Sequence, residues 1–568
     1  MSEELLRSVA DKTVEHEYYI PIPENYKIGK TKYVIVFGTV MSGLGKGIFS
    51  SSLAKLLQFK GFSIAPLKFD GYLNIDAGTL NPYRHGEVFV LDDGTECDMD
   101  LGTYERFLDI DLTKDNYLTG GKIFNNILSR EREGKYLGRD VQFIPHVTGE
   151  IKLFLRNLAM KKNADIVFVE VGGTVGDIEN NYFIEAMREL AYEEGKDNVC
   201  FVALTYVLEP GFLGEQKSKA AQLGIRSLMG AGIQPHIIAC RANNPVSQRV
   251  REKISVFSNV PVERVVSVHD MESIYLIPLL LREAKTDEQV IDILKLKERV
   301  NIQKEKKAWK EWQDFISKLK NIKKEAIIGI TGKYTGLRDS YASILNALEH
   351  AGINAGVKVK IKWIETTEIE EGRLKVEQAL KNVKGIIVPG GFGKRGAEGK
   401  ITCIKYVREK NIPFLGLCYG LQLATIEFAR NVCGLRDANS TEIKPDTNCP
   451  LIDPLPEQKR LEGLGGNMRL GGREIEIKKG TKAYSLYGQK VKIRERFRHR
   501  YEVNPKYIAI LEKHSLVFSG KAPGYPIMQI FELPKHKWFY GIQAHPEFTS
   551  RPLHPNPLYM AFVKACMK

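Results

Sequence analysis

Apolar positions in this chain fall into short β-branched runs that end in glycine-rich turns and are followed by stretches of helical period. Tyr33-Val-Ile-Val-Phe37 is the first such run. A Gly/Ser loop and an Ala/Leu-rich helical stretch follow it, which predicts a strand–loop–helix unit. Asp165–Val171, ending in Gly172-Gly173, and Asn198–Leu204 read as further buried strands. Strands alternating with helices predict a parallel, doubly wound sheet. Residues 282–325 change character: Lys304, Lys306, Lys307, Lys310, Lys323 and Lys324 dominate, with Trp309, Trp312, Phe315 and Leu319 near helical spacing. That pattern predicts a connector helix packing one apolar stripe on a domain. A second α/β pattern starts at Ala326–Ile330. It runs through a helix near Tyr341–His350 and strands at Val357–Ile364, Gly385–Pro389 and Pro413–Leu417. The expected fold class is therefore α/β, with two doubly wound parallel-sheet domains. The expected divisions are an amino-terminal extension (1–30), a first domain (31–285), a charged linker helix (286–324) and a second domain (325–568).

Composition narrows the function classes. Of 568 residues, 43% are hydrophobic and 27% charged, an ordinary globular balance that allows a large core. The net charge of +14 raises the question of a polyanionic partner. Most basic residues interleave with acids, and neither zinc-finger spacing nor an aromatic stacking strand is present, so nucleic acid is not expected. Sites for small phosphorylated ligands are. Eight cysteines without a C-x-x-C pair read as a reduced, intracellular chain, and a cytoplasmic location is expected. The first thirty residues are charged and lack an apolar core segment, so no signal peptide is expected. No run of about 20 apolar residues predicts a membrane span.

Candidate chemistry appears in both domains. Gly416-Leu-Cys-Tyr-Gly420 follows an apolar strand and precedes a helix over Leu421–Ala429. Small residues on both sides of Cys418 permit a sharp turn that exposes its thiol at a helix amino terminus, where a thiolate is favoured. A thiol nucleophile needs a base, and the base an orienting carboxylate. His545-Pro546-Glu547 offers both, two apart on an extended segment. Pro389-Gly-Gly-Phe-Gly393 is a strand-terminal turn whose amides suit an oxyanion hole. In the first domain Gly38-Thr-Val-Met-Ser-Gly-Leu-Gly-Lys-Gly47 lies between strand and helix, where backbone amides cradle phosphate and Lys46 reaches it. It departs from the strict phosphate-loop pattern at Val40 and Gly47, and a plain strand-to-helix turn is its rival. Carboxylates for magnesium are then sought at Asp100 and Glu170, the latter closing a buried strand, with Asp98 a lesser candidate.

PGGFG, then G-x-C-x-G-x-Q, then H-P-E, is the pattern of class I glutamine amidotransferases. By that resemblance Cys418 is the nucleophile, His545 the base and Glu547 its orienter. Gly390, Gly391, Tyr419, Gly420, Leu421, Gln422, Glu442 and Arg500 would bind glutamine, with Gly391 and the Tyr419 backbone holding the oxyanion. The narrower resemblance is to the CTP synthase family. It rests on Ser42–Gly47, Lys68–Asp76, His85–Val90, Tyr104–Phe107, Glu170–Glu179, Asn439–Glu442 and Arg498–Asn504, in that order, over nearly everything from residue 31 onward.

The resemblance implies an ATP-dependent amination of UTP to CTP with ammonia from glutamine. It proceeds through UTP phosphorylated at O4 and is the last step of de novo CTP synthesis. Gly43, Leu44, Gly45, Lys46, Gly47, Ile48, Lys68 and Asp70 would meet ATP phosphates, and Arg241, His269, Asp270 and Met271 its adenine. Asp100 and Glu170 would hold Mg2+. Ser42, Asp177, Ile178, Glu179, Lys217, Ser218, Lys219, Ala220, Ala221, Gln222 and Lys253 would take UTP, or CTP as feedback inhibitor. GTP as activator, a homotetramer and filament formation are implied with no site in this sequence for GTP. Gly332–Gly336 resembles part of a lid over the glutaminase site. The family's usual K-T-K-P-T-Q stands here as Lys217-Ser-Lys-Ala-Ala-Gln222, which removes a hydroxyl at Ala221 and a rigid ring at Ala220. Gly43 replaces a serine, and Ala544 an aromatic residue. Competing readings are another ATP-dependent amide synthase, which would need a carboxylate-substrate pocket, and a non-catalytic assembling paralogue, which loss of Cys418, Lys46 or Glu170 would favour.

Overall fold

The computed structural model describes residues 21–136, 138–211, 214–332, 338–454 and 468–568. The chain divides into two compact units. The first takes residues up to Thr79 together with Thr103–Gln313. Its seven-stranded sheet runs in the order Tyr117–Thr119, Ile64–Asp70, Ile166–Val171, Lys32–Gly38, Val199–Tyr206, Ile237–Ala242, Val265–His269. Every pairing is parallel. Central strands of such a sheet are covered on both faces, so they read as continuous apolar runs. Tyr33 to Phe37 are accordingly all fully buried. The strand order reverses around Lys32–Gly38, which opens a crevice at the carboxyl ends of the central strands.

The connector consists of two helices, Thr286–Ile293 and Ile302–Lys320. Its stripe packs as its spacing predicts. Trp312 lies 6.1 Å from the Phe59 ring and 6.0 Å from Phe107. The Arg282 guanidinium covers Trp309 at 4.3 Å. Buried Lys60 ties the two helices together, 3.0 Å from Asp287 and 2.9 Å from Glu305.

The second unit takes Asp314–Lys568 and also Leu80–Gly102. The sequence reading assigns residues 80–102 to the first domain. Here they form an antiparallel hairpin, Val88–Val90 with Glu96–Asp98, whose polar groups bond to residues near 340 and 495. The nine-stranded sheet runs Val357–Glu365, Lys324–Gly332, Gly385–Val388, Phe414–Leu417, Phe539–Ile542, Met528–Glu532, Val517–Lys521, Arg469–Ile477, Lys492–His499. Its first five strands are parallel, as expected of the class. The remaining four pair antiparallel. Antiparallel strands need not read as apolar runs; in Lys492–His499 only Ile493 and Phe497 are apolar, so a search for such runs passes over it. Of the supposed lid, Lys333–Gly336 lie outside the described residues.

Candidate functional site

In the second unit, the strand Phe414–Leu417 ends at Cys418, and the helix Tyr419–Asn431 begins one residue later. The turn holds Cys418 at φ 49°, ψ −101°, a strained conformation for a residue with a Cβ. The flanking glycines are steric necessities. A Cβ on Gly416 would meet the Gly420 backbone at 2.8 Å, and one on Gly420 would meet the Val388 carbonyl oxygen at 2.0 Å. Backbone cannot step aside as a side chain can. Gly420→Ala is therefore expected to lower stability by about 1–3 kcal/mol through overpacking. Thermal unfolding of the purified protein checks this; an unchanged midpoint contradicts it.

The expected base, His545, comes from beyond the neighbouring strand Phe539–Ile542. His545 Nδ1 bonds to Glu547 Oε1 at 2.7 Å, and both side chains are buried. Among the described residues only the Cys418 sulfur faces Nε2 as a partner. Gly390 sits against both groups: a Cβ there would stand 2.8 Å from His545 Cε1 and 3.6 Å from Cys418 Cβ. Burial works to lower the imidazole pKa; the Glu547 carboxylate, with Cys418 behind it, outweighs this and raises it to about 10. The ring also stacks on Phe548, centroids 5.1 Å apart.

The other expected glutamine residues divide. Glu442 accepts from the Gly393 amide at 2.9 Å, and the Tyr419 hydroxyl donates to the Gly393 carbonyl at 2.7 Å, so both close on the PGGFG turn. Both Glu442 and Arg500 act electrostatically on Tyr501. Leu421 belongs to the core. Gln422 is buried, and its amide donates to the Tyr501 carbonyl at 2.9 Å and, at 3.4 Å, to Gln543 Oε1. Gln543 in turn donates to Cys418 Sγ at 3.5 Å. The sequence reading missed Gln543. It lies two residues before His545, the spacing that links His545 to Glu547, so period two would have found it.

In the first unit, positive φ at Gly43 (73°) and Gly45 (78°) shapes the loop expected to hold phosphate, and Gly45 caps the helix Lys46–Phe59. Gly47 lies in the first turn of that helix, and Leu44 and Gly47 are buried while Ser42 is exposed. Val40 takes φ 75°, a conformation rarely adopted by a β-branched residue. The Lys46 ammonium bonds to the Gly173 carbonyl at 2.8 Å, across the crevice mouth. Register sets Lys68 opposite Glu170, and their side chains pair at 2.7 Å, nearly dry. Asp70 accepts from the Tyr72 hydroxyl at 3.1 Å beside Gly172. Asp100, near the start of the helix Met99–Leu108, bonds through its amide to Asp98 and belongs to the other compact unit.

Farther along the same sheet edge, Arg241 bonds to Asp270 at 2.6 Å and to the Val268 carbonyl, with Ala242 in register with His269. Met271 follows, partly exposed. Asp177, Ile178 and Glu179 are exposed in the loop after Gly173. Lys217 pairs with Glu215. The helix Lys219–Gly230 follows; Ala221 is in the core, and Ala220 is half-buried. Gln222 bonds to Ser218, and it lines one cavity with Lys253, Arg249 and Phe257.

Hard carboxylate oxygens at Glu170 and Asp70 suit Mg2+, which needs only one or two such ligands beside phosphate oxygens and water. Among the described residues no helix is long and apolar enough to cross a membrane.

Two halves, a thiol–imidazole–carboxylate centre and a phosphate-loop crevice, are thus present in one chain. The family model described as CTP synthase N-terminus matches residues 32–296. The model described as glutamine amidotransferase class-I matches residues 337–565. The Pyrococcus furiosus CTP synthase is 50% identical over 536 residues, 94% of this chain and 98% of its own. That of Saccharolobus solfataricus is 49% identical over 537 residues, 94% of this chain and 99% of its own. The solved glutaminase domain of Trypanosoma brucei CTPS is 34% identical, covers 43% of this chain and 94% of that one, and has a TM-score of 0.40. With relatives matching it nearly end to end at about half identity, this chain belongs to the CTP synthase family of glutamine-dependent ligases.

Proposed function

We propose that the protein converts UTP to CTP, spending ATP and taking its nitrogen from glutamine. The observation that carries the reading is the pairing, in one family member, of the Cys418–His545–Glu547 centre with the Lys46–Gly173 and Lys68–Glu170 arrangement at a parallel sheet's carboxyl edge.

In the amidotransferase half, the Cys418 thiolate attacks the side-chain amide carbon of glutamine. The amides of Gly391 and Tyr419 take the oxyanion. His545, holding its proton beside Glu547, gives it to the departing ammonia, then draws a proton from the water that releases glutamate. Glu442 pairs with the substrate ammonium and Arg500 with its carboxylate. Gln422, turned to Gln543 and Tyr501, orients the nucleophile's surroundings.

In the synthetase half, UTP O4 takes the γ-phosphoryl group of ATP. A carbonyl oxygen leaves poorly and phosphate leaves well, so ammonia then displaces phosphate at C4. Lys46 and Lys68 balance charge on the transferring group. Glu170 and Asp70 would hold Mg2+, with Asp100 added by the family resemblance, and the ion would supply positive charge against the phosphates. Asp70 faces the same phosphates, and Arg241 and His269–Met271 the adenine. Asp177–Glu179, Lys217–Gln222 and Lys253 receive UTP and, as inhibitor, CTP. GTP activation, the homotetramer, filament assembly and a cytoplasmic location extend the same reading from the family.

The test is CTP formation from UTP, ATP and Mg2+ with glutamine, repeated with ammonium salt. CTP is expected from both; none from either, with GTP present, overturns the proposal.

The histidine makes a pH prediction. Its folded-state pKa is raised, so it keeps its proton until the pH approaches about 10. Glu547→Gln removes the largest raising influence, so the imidazolium is lost at lower pH and the alkaline limb of glutamine hydrolysis moves down. The rate is expected to fall about 100-fold. Glutamate release across pH reads both; an unmoved limb counts against Glu547 as the orienter.

A further inference from the structure

The hairpin within Leu80–Gly102 grips a strand whose backbone touches both the nucleophile and the base. Alternate residues of Lys492–His499 point at it. Arg494 holds the Asp92 carboxylate with two bonds, Nε at 2.9 Å and Nη2 at 2.7 Å. Arg496 Nη1 donates to the Val90 carbonyl at 3.1 Å, with its guanidinium over the Phe89 ring. Arg498 Nε donates to Glu96 Oε1 at 2.7 Å. The same strand serves the reacting groups through its carbonyls. In its thiol form Cys418 Sγ donates to the Arg498 carbonyl at 3.5 Å, and the His545 amide donates to the Arg496 carbonyl at 2.7 Å.

A third path is apolar. Phe89, fully buried, meets Phe548 edge-on at 4.9 Å, and Phe548 carries the His545 ring. The sheet makes room for the hairpin by omitting side chains. A Cβ on Gly472 would stand 2.0 Å from Asp92 Oδ1, and one on Gly471 2.6 Å from the Gly94 amide. Charge-assisted bonds and close backbone approach at one face mark a docked, position-setting element.

We infer that Leu80–Gly102 buttresses the glutaminase centre and that Glu96 is a positioning residue for it, acting through Arg498 on Cys418. The inference rests on the reading of Cys418 as the nucleophile of glutamine hydrolysis. The segment lies in the chain between strands of the other compact unit, entering after Thr79 and returning at Thr103. Substitutions in it therefore reach glutamine hydrolysis without touching glutamine.

The test uses the full chain with Glu96→Gln, the conservative Glu96→Asp, and Asp92→Asn on the outer, more exposed rung. Glutamate release gives kcat and KM for glutamine; CTP formation from ammonium salt reports the synthetase half. For Glu96→Gln, kcat for glutamine is expected to fall about tenfold with KM within about twofold. Glu96→Asp recovers most of that loss, Asp92→Asn stays within about threefold, and ammonium-supported synthesis is unchanged within about twofold. Three results would overturn the inference: an unchanged kcat in Glu96→Gln, equal impairment in Glu96→Asp, or an equal loss in the ammonium reaction. A wild-type protein that releases no glutamate refutes instead the reading of Cys418 on which this rests.

Discussion

Cys418→Ala is expected to abolish CTP formation from glutamine while leaving formation from ammonium salt within about twofold of the parent. On the proposed reading the thiol bonds to the substrate carbon, and no neighbour can stand in for it. Gln543 and the Arg498 carbonyl touch the sulfur, but an amide and a carbonyl are poor nucleophiles. Loss of a covalent nucleophile in such a centre costs about 10⁴-fold or more. Little structural cost accompanies it, because the change removes one small atom from the turn and leaves the strained φ unchanged. Parallel assays with the two nitrogen sources and a thermal melt decide the matter. Equal loss from both sources would mean that Cys418 serves something other than ammonia supply.

The mirror result is expected at the other centre. Glu170→Gln should remove CTP formation from both nitrogen sources by about 10³-fold or more, while Cys418 still releases glutamate from glutamine. Glu170 is fully buried and paired with Lys68, which is nearly so. Neutralising one partner of a buried ion pair costs about 3–5 kcal/mol. Activity and folding must therefore be separated. The double variant Lys68→Met/Glu170→Met removes both charges and keeps apolar volume, which is often neutral for stability. It should melt near the parent and still form no CTP. A folded double variant with near-parental synthesis would show that the pair is only structural. Together with Cys418→Ala, this assigns one reaction to each centre.

Much of this molecule is legible locally. A strand that ends in Gly-x-Cys-x-Gly, or in a glycine-rich loop before Lys46, carries its geometry within about ten residues. The reason is steric and acts between near neighbours: Gly416 against Gly420, Gly45 at a positive φ before its helix. The connector stripe is legible for the same reason, since helical period brings Trp309 and Trp312 to one side before any partner is known. His545 and Glu547 meet because extended chain repeats every two residues.

Other features depend on which segments become neighbours. Lys68 and Glu170 are 102 residues apart, and only parallel register sets them side by side. Glu96 and Arg498 are 402 apart. Nothing in the composition of residues 80–102 says that they leave the first unit to dock on the strand behind Cys418. The charged strand Lys492–His499 resembles a solvated surface until its arginines find Asp92, Val90 and Glu96. From the sequence alone came the α/β class, the two centres and the residue types able to do the chemistry, because period, turn sterics and side-chain reactivity are local. The antiparallel half of the second sheet, the buried ion pair and the hairpin behind the nucleophile were decided only by the tertiary structure. Alternation along a strand states which side is buried, but pairing between distant strands is chosen by the packing of the whole unit.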